Sequence, residues 1–279
     1  MKKERVDVLA FNQGLCETRE KAKRAVMAGL VYDINNERMD KPGEKIDAEM
    51  ELHLKGEGLK YVSRGGLKLE KALDVFGIDI KGKQLLDIGS STGGFTDVAL
   101  QNGAVMSYAL DVGYNQLAWK LRQDERVVVM ERTNFRYSKP EDFEKGLPDI
   151  ASIDVSFISL KLILPVLKSI LKANGEVVAL IKPQFEAGKA LVGKNGVIRE
   201  ASTHRLVLEK MLTFMNEEGY QIAGLDYSPI KGGEGNIEFL AYLKWPGLGQ
   251  EKVEELDIEK MAADIVEKAH TELKVKAEG

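Results

Sequence analysis

From about residue 61 onward, apolar strand-like runs alternate with helix-like stretches, and this rhythm constrains the fold more than any other feature of the chain. Strands are expected at 84–88, 105–110, 127–130, 150–153 and 176–181, with helices at 66–76, 95–102, 115–122 and 159–172. Parallel strands joined through helices are covered on both faces, so each can be apolar throughout, as Val177 to Ile181 is. A helix at 203–218 and a closing antiparallel hairpin, 222–227 with 237–244, complete the pattern. The expected fold class is α/β, a Rossmann-like, mostly parallel seven-stranded sheet.

Residues 1–58 follow a different grammar and form a separate small α+β domain, leaving 59–279 as the α/β domain with a helical tail. A first amphipathic helix carries Val6, Leu9 and Ala10 and ends near Gly14. Thr18 is the expected N-cap of a second helix, Arg19 to Ala28, stopped at Gly29. Ala22, Ala25 and Val26 make its inner stripe, while Arg19, Lys23 and Arg24 share an outer face with Lys21 nearby. Short strands at 30–34 and 50–54 surround turns at Asn35-Asn36 and Lys41-Pro42-Gly43, and Gly56-Glu57-Gly58 is the expected linker.

A chain of 279 residues suffices for one ordinary domain and a small second one. Its single cysteine allows no intramolecular disulfide. Apolar stretches such as Leu162 to Leu167 fall far short of the roughly 18 residues that span a membrane. Behind Lys2 and Lys3, the charges of Glu4, Arg5 and Asp7 break any signal-peptide core. A cytoplasmic protein without a membrane partner is expected. The net charge of −4 arises wholly in residues 251–279, where nine acids face five lysines, so it does not argue against a nucleic-acid partner. Within it, residues 251–272 have an amphipathic pattern (Val253, Leu256, Ile258, Met261, Ile265) with an acidic polar face, which suits a docked surface helix.

The run Leu85 to Phe95 reads as a buried strand, a turn of small residues and a helix start. Its Asp87, Gly89, Ser90, Ser91, Gly93, Gly94 and Phe95 are candidate cofactor residues: glycines let backbone approach a ligand, and the helix N-terminus favours polar groups. Ser91 stands where a nicotinamide fingerprint has its second glycine, and the D-x-G-x-x-x-G-G spacing is instead common in enzymes that use S-adenosylmethionine (SAM). Asp111 ends the next strand, placed to accept both ribose hydroxyls of a nucleoside, with Val112 after it and Asn134 bordering the adenine.

Ligands of open α/β sheets meet the carboxyl ends of the strands. Asp154 and Lys182 each follow a core strand, Glu238 is placed within the last one, and Lys68 lies at the start of the helix that opens the domain. A lysine directly after a buried strand is unusual, because its ammonium must be desolvated there.

Five segments now combine: Tyr61 to Leu69, Asp87 to Thr96, Ala109 to Gly113, Asp154 to Leu160 and Ile181 to Glu186. In this order they resemble the TlyA family, bacterial rRNA 2'-O-methyltransferases often labelled hemolysins, over almost the whole chain. The resemblance implies a SAM-dependent, FtsJ-like methyltransferase domain, an S4-type RNA-binding domain in 1–58, and ribosomal RNA or ribosomal subunits as partner. It maps a catalytic Lys-Asp-Lys-Glu tetrad onto Lys68, Asp154, Lys182 and Glu238, with cytidine ribose as the target. S4 domains usually carry Val-Asn-Gly in their hairpin, where this chain has Asp33-Ile34-Asn35-Asn36. Asn36 can replace Gly at a positive-φ position.

A ribose hydroxyl must lose its proton as it attacks a sulfonium methyl, and a desolvated lysine can act as the base. Lys182 is the expected base, oriented by Asp154; Lys68 stabilises the alkoxide or a phosphate, and Glu238 fixes a lysine or the ribose. Arg19, Lys21, Lys23, Arg24 and Arg64 are the candidate RNA contacts. The loop from Phe185 to Glu200, with Lys189, Lys194 and Arg199, is expected to order substrate beside Lys182. His204 and His270 show no ligand spacing with Cys16 or His53, so no metal site is expected. Two other functions compete: a non-catalytic RNA- or ribosome-binding protein, and a membrane-active hemolysin.

Overall fold

The computed structural model describes residues 3–278 apart from 17, 36, 56–59, 189–190, 194–195, 233–234 and 254, and the side chains only to residue 273. The chain divides into two compact units, Met1–Arg64 and Gly65–Gly279.

In the first unit, β1 (Lys3–Arg5) leads into α1 (Val6–Asn12), followed by α2 (Arg19–Met27), β2 (Val31–Asp33), β3 (Lys45–Asp47) and β4 (Leu52–Leu54). β1 pairs antiparallel with β3, and β2 with β4. A small core of Val6, Leu9, Ala10, Ala22, Val26, Val31 and Leu52 holds the two helices on these ribbons. The Thr18 hydroxyl accepts the Lys21 amide and caps α2 as expected. β1 and β3 were not expected, because Lys-Glu-Arg and Lys-Ile-Asp offer no apolar alternation. In the altered hairpin, the buried Asp33 carboxylate accepts the amides of Asn35 at 2.9 Å and Glu37 at 2.7 Å, an Asx-type turn in place of a glycine turn. Asn36 and the linker Gly56-Glu57-Gly58 lie outside the described residues.

The second unit opens with α3 (Gly66–Phe76) and then runs β5 (Gln84–Ile88), α4 (Gly94–Gln101), β6 (Met106–Leu110), α5 (Trp119–Arg122), β7 (Val127–Met130) and β8 (Ile150–Ile153). It continues through α6 (Leu164–Ile170), β9 (Gly175–Ile181), α7 (Pro183–Glu186), α8 (Ala201–Glu217), β10 (Gln221–Tyr227), β11 (Phe239–Trp245) and α9 (Ile258–Glu278). The seven strands lie in the order β10-β11-β9-β8-β5-β6-β7. All are parallel except β11, which enters antiparallel between β9 and β10. From β5 the chain winds outward through β6 and β7, then returns to β8 on the other side of β5. The reversal leaves a crevice above the carboxyl ends of β5 and β8, where open α/β sheets hold ligands.

Three expected helices are shorter than their patterns. The stretch 115–122 is helical only at Trp119–Arg122, because Asn115 takes φ +58, outside the right-handed helix. The stretch 159–172 is a 3-10 turn, Leu160–Leu162, then α6, which restarts with Pro165 in its first turn where a missing N–H costs nothing. The tail becomes helical at Ile258 rather than 251: Asp257 caps it by accepting the Lys260 amide, and Val253 is exposed ahead of it. α9 then buries Ala262, Ile265, Val266, Ala269 and Leu273 on one face, each large aliphatic contributing roughly 1.5–3 kcal/mol.

Candidate active site

β9 and β11 run antiparallel with Ile181 opposite Phe239. The residue after β9, Lys182, and the residue before β11, Glu238, therefore reach the same edge of the sheet. Glu238 precedes the strand in which it was expected. On the neighbouring strand Asp154 follows β8, and its amide is fixed by the Ile88 carbonyl of β5 at 3.0 Å. Lys68, in the first turn of α3, completes the group.

The four side chains form one continuous network. Lys68 Nζ donates to Glu238 Oε2 at 2.8 Å and to Asp154 Oδ2 at 3.1 Å. Lys182 Nζ lies 2.5 Å from Asp154 Oδ1 and donates to the Ser156 hydroxyl at 3.1 Å. The side chains of Lys68, Lys182 and Glu238 are each less than a tenth exposed, and that of Asp154 is 18% exposed. Two ammoniums and two carboxylates cancel, so the cluster is stable out of water although either charge pair broken alone would cost about 3–5 kcal/mol. Burial pushes the Lys68 ammonium towards losing its proton, but the charges of Asp154 and Glu238 outweigh it and hold Lys68 above the usual lysine range. Burial acts on Asp154 in the opposite sense to the Lys68 and Lys182 charges, which win and hold its carboxyl well below the usual carboxylate range.

Sequence reasoning missed three supports of this cluster. Ser156 receives Lys182, and Glu186 anchors the loop after Asp154. The Gly232 backbone passes so near Glu238 that a Cβ there would lie 2.0 Å from Oε1; the Gly232-Gly233 pair was its signal. Asn236 organises the expected substrate loop, accepting the Ile198 amide at 3.0 Å and donating to the Gly196 carbonyl. Lys189 and Lys194 of that loop lie outside the described residues, while Arg199 is exposed.

Beside the cluster, the turn after β5 is built for close approach. Gly89 has φ +84, and a Cβ on it would stand 2.4 Å from the Asp154 carbonyl oxygen. Gly93 has φ +94 and would strike Leu121 at 2.3 Å. The buried Ser90 carbonyl accepts the Gly93 amide at 2.7 Å, Gly94 begins α4, and Ser91 takes φ +48. Asp87 faces inward, accepting from the Thr96 amide and hydroxyl and from the Ser152 hydroxyl. Burial pushes its carboxyl up to about 7, against those hydrogen bonds. It braces the turn rather than facing the crevice. Asp111 follows β6; its two oxygens accept the Ser91 amide at 2.8 Å and the Gly113 amide at 2.7 Å, each keeping a lone pair. Val112 beside it is 70% exposed, an apolar surface for a ring. A carboxylate, an exposed aliphatic and a glycine cradle fit a nucleoside cofactor.

Other expected residues have different places. Phe95 is buried within α4. Asn134 accepts the Arg136 amide and caps the 3-10 turn Phe135–Tyr137. In the first unit, Lys21, Lys23 and Arg24 are exposed on α2, and Arg19 pairs with the buried Asp7 at 3.2 Å. Arg64 differs from its expected role: its guanidinium turns to the Gln13 carbonyl and its amide donates to Glu51 at 2.8 Å. His204 and His270, sixty-six residues apart, meet with ring nitrogens at 2.9 Å. No group of three metal-ligating side chains occurs among the described residues.

Comparison with known proteins agrees with this architecture. Residues 61–245 match the FtsJ-like methyltransferase model, and residues 4–52 match the S4 domain model. The Bacillus subtilis protein named "Putative rRNA methyltransferase YqxC" is 63% identical over 99% of this chain and 97% of its own length. A Mycobacterium tuberculosis protein named 16S/23S rRNA (cytidine-2'-O)-methyltransferase TlyA is 39% identical over 86% of this chain and 89% of its own. A solved structure described as "Putative hemolysin from Streptococcus thermophilus" covers all of both chains at 59% identity and a TM-score of 0.85. With its S4 domain, its glycine turn and its Lys-Asp-Lys-Glu cluster, the chain belongs to the TlyA family of FtsJ-like methyltransferases.

Proposed function

We propose that this protein transfers the methyl group of SAM to the 2'-hydroxyl of a ribose in ribosomal RNA, at a cytidine. The observation that carries the reading is the buried Lys68–Asp154–Lys182–Glu238 network beside the glycine turn. Relatives named as rRNA methyltransferases support the substrate class, and three of them are named for cytidine 2'-O-methylation. Gly89, Ser90, Ser91, Gly93, Gly94, Asp111 and Val112 are the residues that would hold SAM. The cofactor supplies an electrophilic methyl on a sulfonium.

The protein's own part is to orient the hydroxyl and take its proton. Lys68 lies between two carboxylates and keeps its charge, so it is suited to stabilise the developing alkoxide or hold a neighbouring phosphate. Lys182 has one carboxylate, and shares it with Lys68. In this reading Lys182 is the group that accepts the hydroxyl proton at Nζ, oriented by Asp154 and Ser156. Glu238 fixes Lys68. Alignment of hydroxyl and methyl supplies much of the remaining acceleration.

The cationic face of α2 (Arg19, Lys21, Lys23, Arg24) is the RNA-contacting surface in this reading, which suits a cytoplasmic enzyme working on ribosomal subunits. Among the described residues no helix is long and apolar enough to cross a membrane, and the reading needs none.

Lys182→Ala is expected to reduce methyl transfer to unmodified subunits by at least about 100-fold while SAM binding stays within twofold. Alkali-resistant ribose methylation, mapped by mass spectrometry, reads the product. Near-normal turnover in this variant removes Lys182 from the mechanism. Failure of the wild type to methylate any subunit leaves an RNA-binding protein.

A further inference from the structure

Two loops leave the carboxyl edge of the sheet from adjacent strands, one after β8 carrying Asp154 and one after β9 carrying Lys182. The strands end at Ile153 and Ile181, and past the Asp154 amide, which the Ile88 carbonyl holds, Lys182 Nζ and Asp154 must stay in register. Glu186 closes the gap from the far end. Four residues after Lys182, at the end of α7, its carboxylate accepts the Ser159 hydroxyl at 2.6 Å and the Leu160 amide at 2.8 Å.

Those donors open the 3-10 turn that follows the Asp154 loop. The two loops are thus fastened twice, by Lys182 to Asp154 and Ser156 and by Glu186 to Ser159 and Leu160. Between the fastenings the rings of Phe157 and Phe185 lie 5.0 Å apart, and an open cleft of about 540 Å³ runs between the loops. Phe157 takes φ +63 and is 87% exposed.

We propose that Glu186 is a positioning residue for the methyl transfer: by clamping the 154–160 loop to α7 it sets the reach of Lys182 Nζ without touching substrate. The proposal rests on the roles given above to Lys182 and Asp154. Burial pushes the Glu186 carboxyl up, against the hydrogen bonds of Ser159 and Leu160 and the charge of Lys161. Protonation replaces an acceptor lone pair with an O–H directed at donors, so the clamp loosens as pH falls. The acid limb of the rate profile then carries the signature of Glu186.

The test is steady-state methylation of unmodified ribosomal subunits with SAM across a pH series, for Glu186→Gln, Ser159→Ala and the double variant. Glu186→Gln is expected to lower kcat about tenfold, leave KM for SAM within twofold, and displace the acid limb. Ser159→Ala falls in the same direction by less, and the double variant is no worse than Glu186→Gln alone, because both remove one connection. The proposal is overturned by wild-type kcat and an unmoved acid limb in Glu186→Gln, by additive losses, or by a loss confined to KM for SAM. If Glu186→Gln melts at assay temperature, Ser159→Ala decides alone, and wild-type kcat and pH profile in that variant overturn the clamp. An inactive wild type would instead overturn the function assigned above, so the two failures are separate.

Discussion

Gly89 shows how a single backbone position links two strands of the site. It occupies φ +84, and the atom that a side chain would meet, 2.4 Å away, is the carbonyl oxygen of Asp154. Neither can yield: one is in the turn after β5, and the other begins the Asp154 loop. Gly14, at φ +74 with nothing within 4 Å, carries the backbone requirement without the crowding. Gly14→Ala should therefore cost about 1–2 kcal/mol, the penalty of a left-handed residue alone. Gly89→Ala should cost more than that and weaken SAM binding more than tenfold. Thermal melts and calorimetric titration with SAM check both, and equal losses in the two variants would show that crowding against Asp154 does not matter. Asp154 carries the converse lesson. Its acidity is set by two lysines that arrive from α3 and from the end of β9, far from it in sequence.

At the scale of elements, the C-terminal helix is joined to α8 by a buried histidine pair. His204 is fully buried, its ring edge-on to Phe239 and its Nδ1 2.9 Å from His270 Nε2. Burial first, and then the charge of His270, hold His204 down to about 4. The unfolded chain, with histidine near 6.5, binds that proton more readily between pH 6.5 and 4, so acidification through this window favours unfolding. At pH 5 the loss relative to pH 7 should be about 2 kcal/mol. Urea denaturation at the two pH values measures it, and His204→Leu should shrink the difference by that amount. An unchanged pH dependence in His204→Leu would assign the effect elsewhere. Phe239 directly follows Glu238, so this contact also abuts a member of the buried Lys68–Asp154–Lys182–Glu238 network.

For the molecule as a whole, activity on a large RNA requires binding energy that the four buried groups cannot supply. The exposed cations of α2 are the place to look for it. Neutralising three of them, Lys21, Lys23 and Arg24, should reduce the slope of log affinity for ribosomal RNA against log salt by about 2–3, at roughly 0.7–0.9 for each phosphate no longer neutralised. The effect belongs in KM for subunits, with kcat little changed. Filter binding across a salt series gives the slope, and an unaltered slope would move the RNA face off α2.

The alternating rhythm, the parallel sheet and the glycine turn were legible in the sequence because they arise from local periodicity and short spacing. Both Asp154 and Lys182 were legible for the same reason, each following an apolar strand. Short α5, the interrupted α6 and the late start of α9 were not, since each depended on one backbone angle or cap. The inward turn of Arg64, the meeting of His204 with His270 and the role of Glu186 have no local signature at all. Sequence by itself determined which residues could end strands and which types of chemistry they carried. Only the tertiary structure decided that β11 inserts between β9 and β10, bringing Glu238 to the edge where Lys182 stands and Lys68 is held as a cation. Strand order depends on long-range pairing energies, and the charge state of a buried lysine depends on which carboxylates that pairing delivers within about 4 Å.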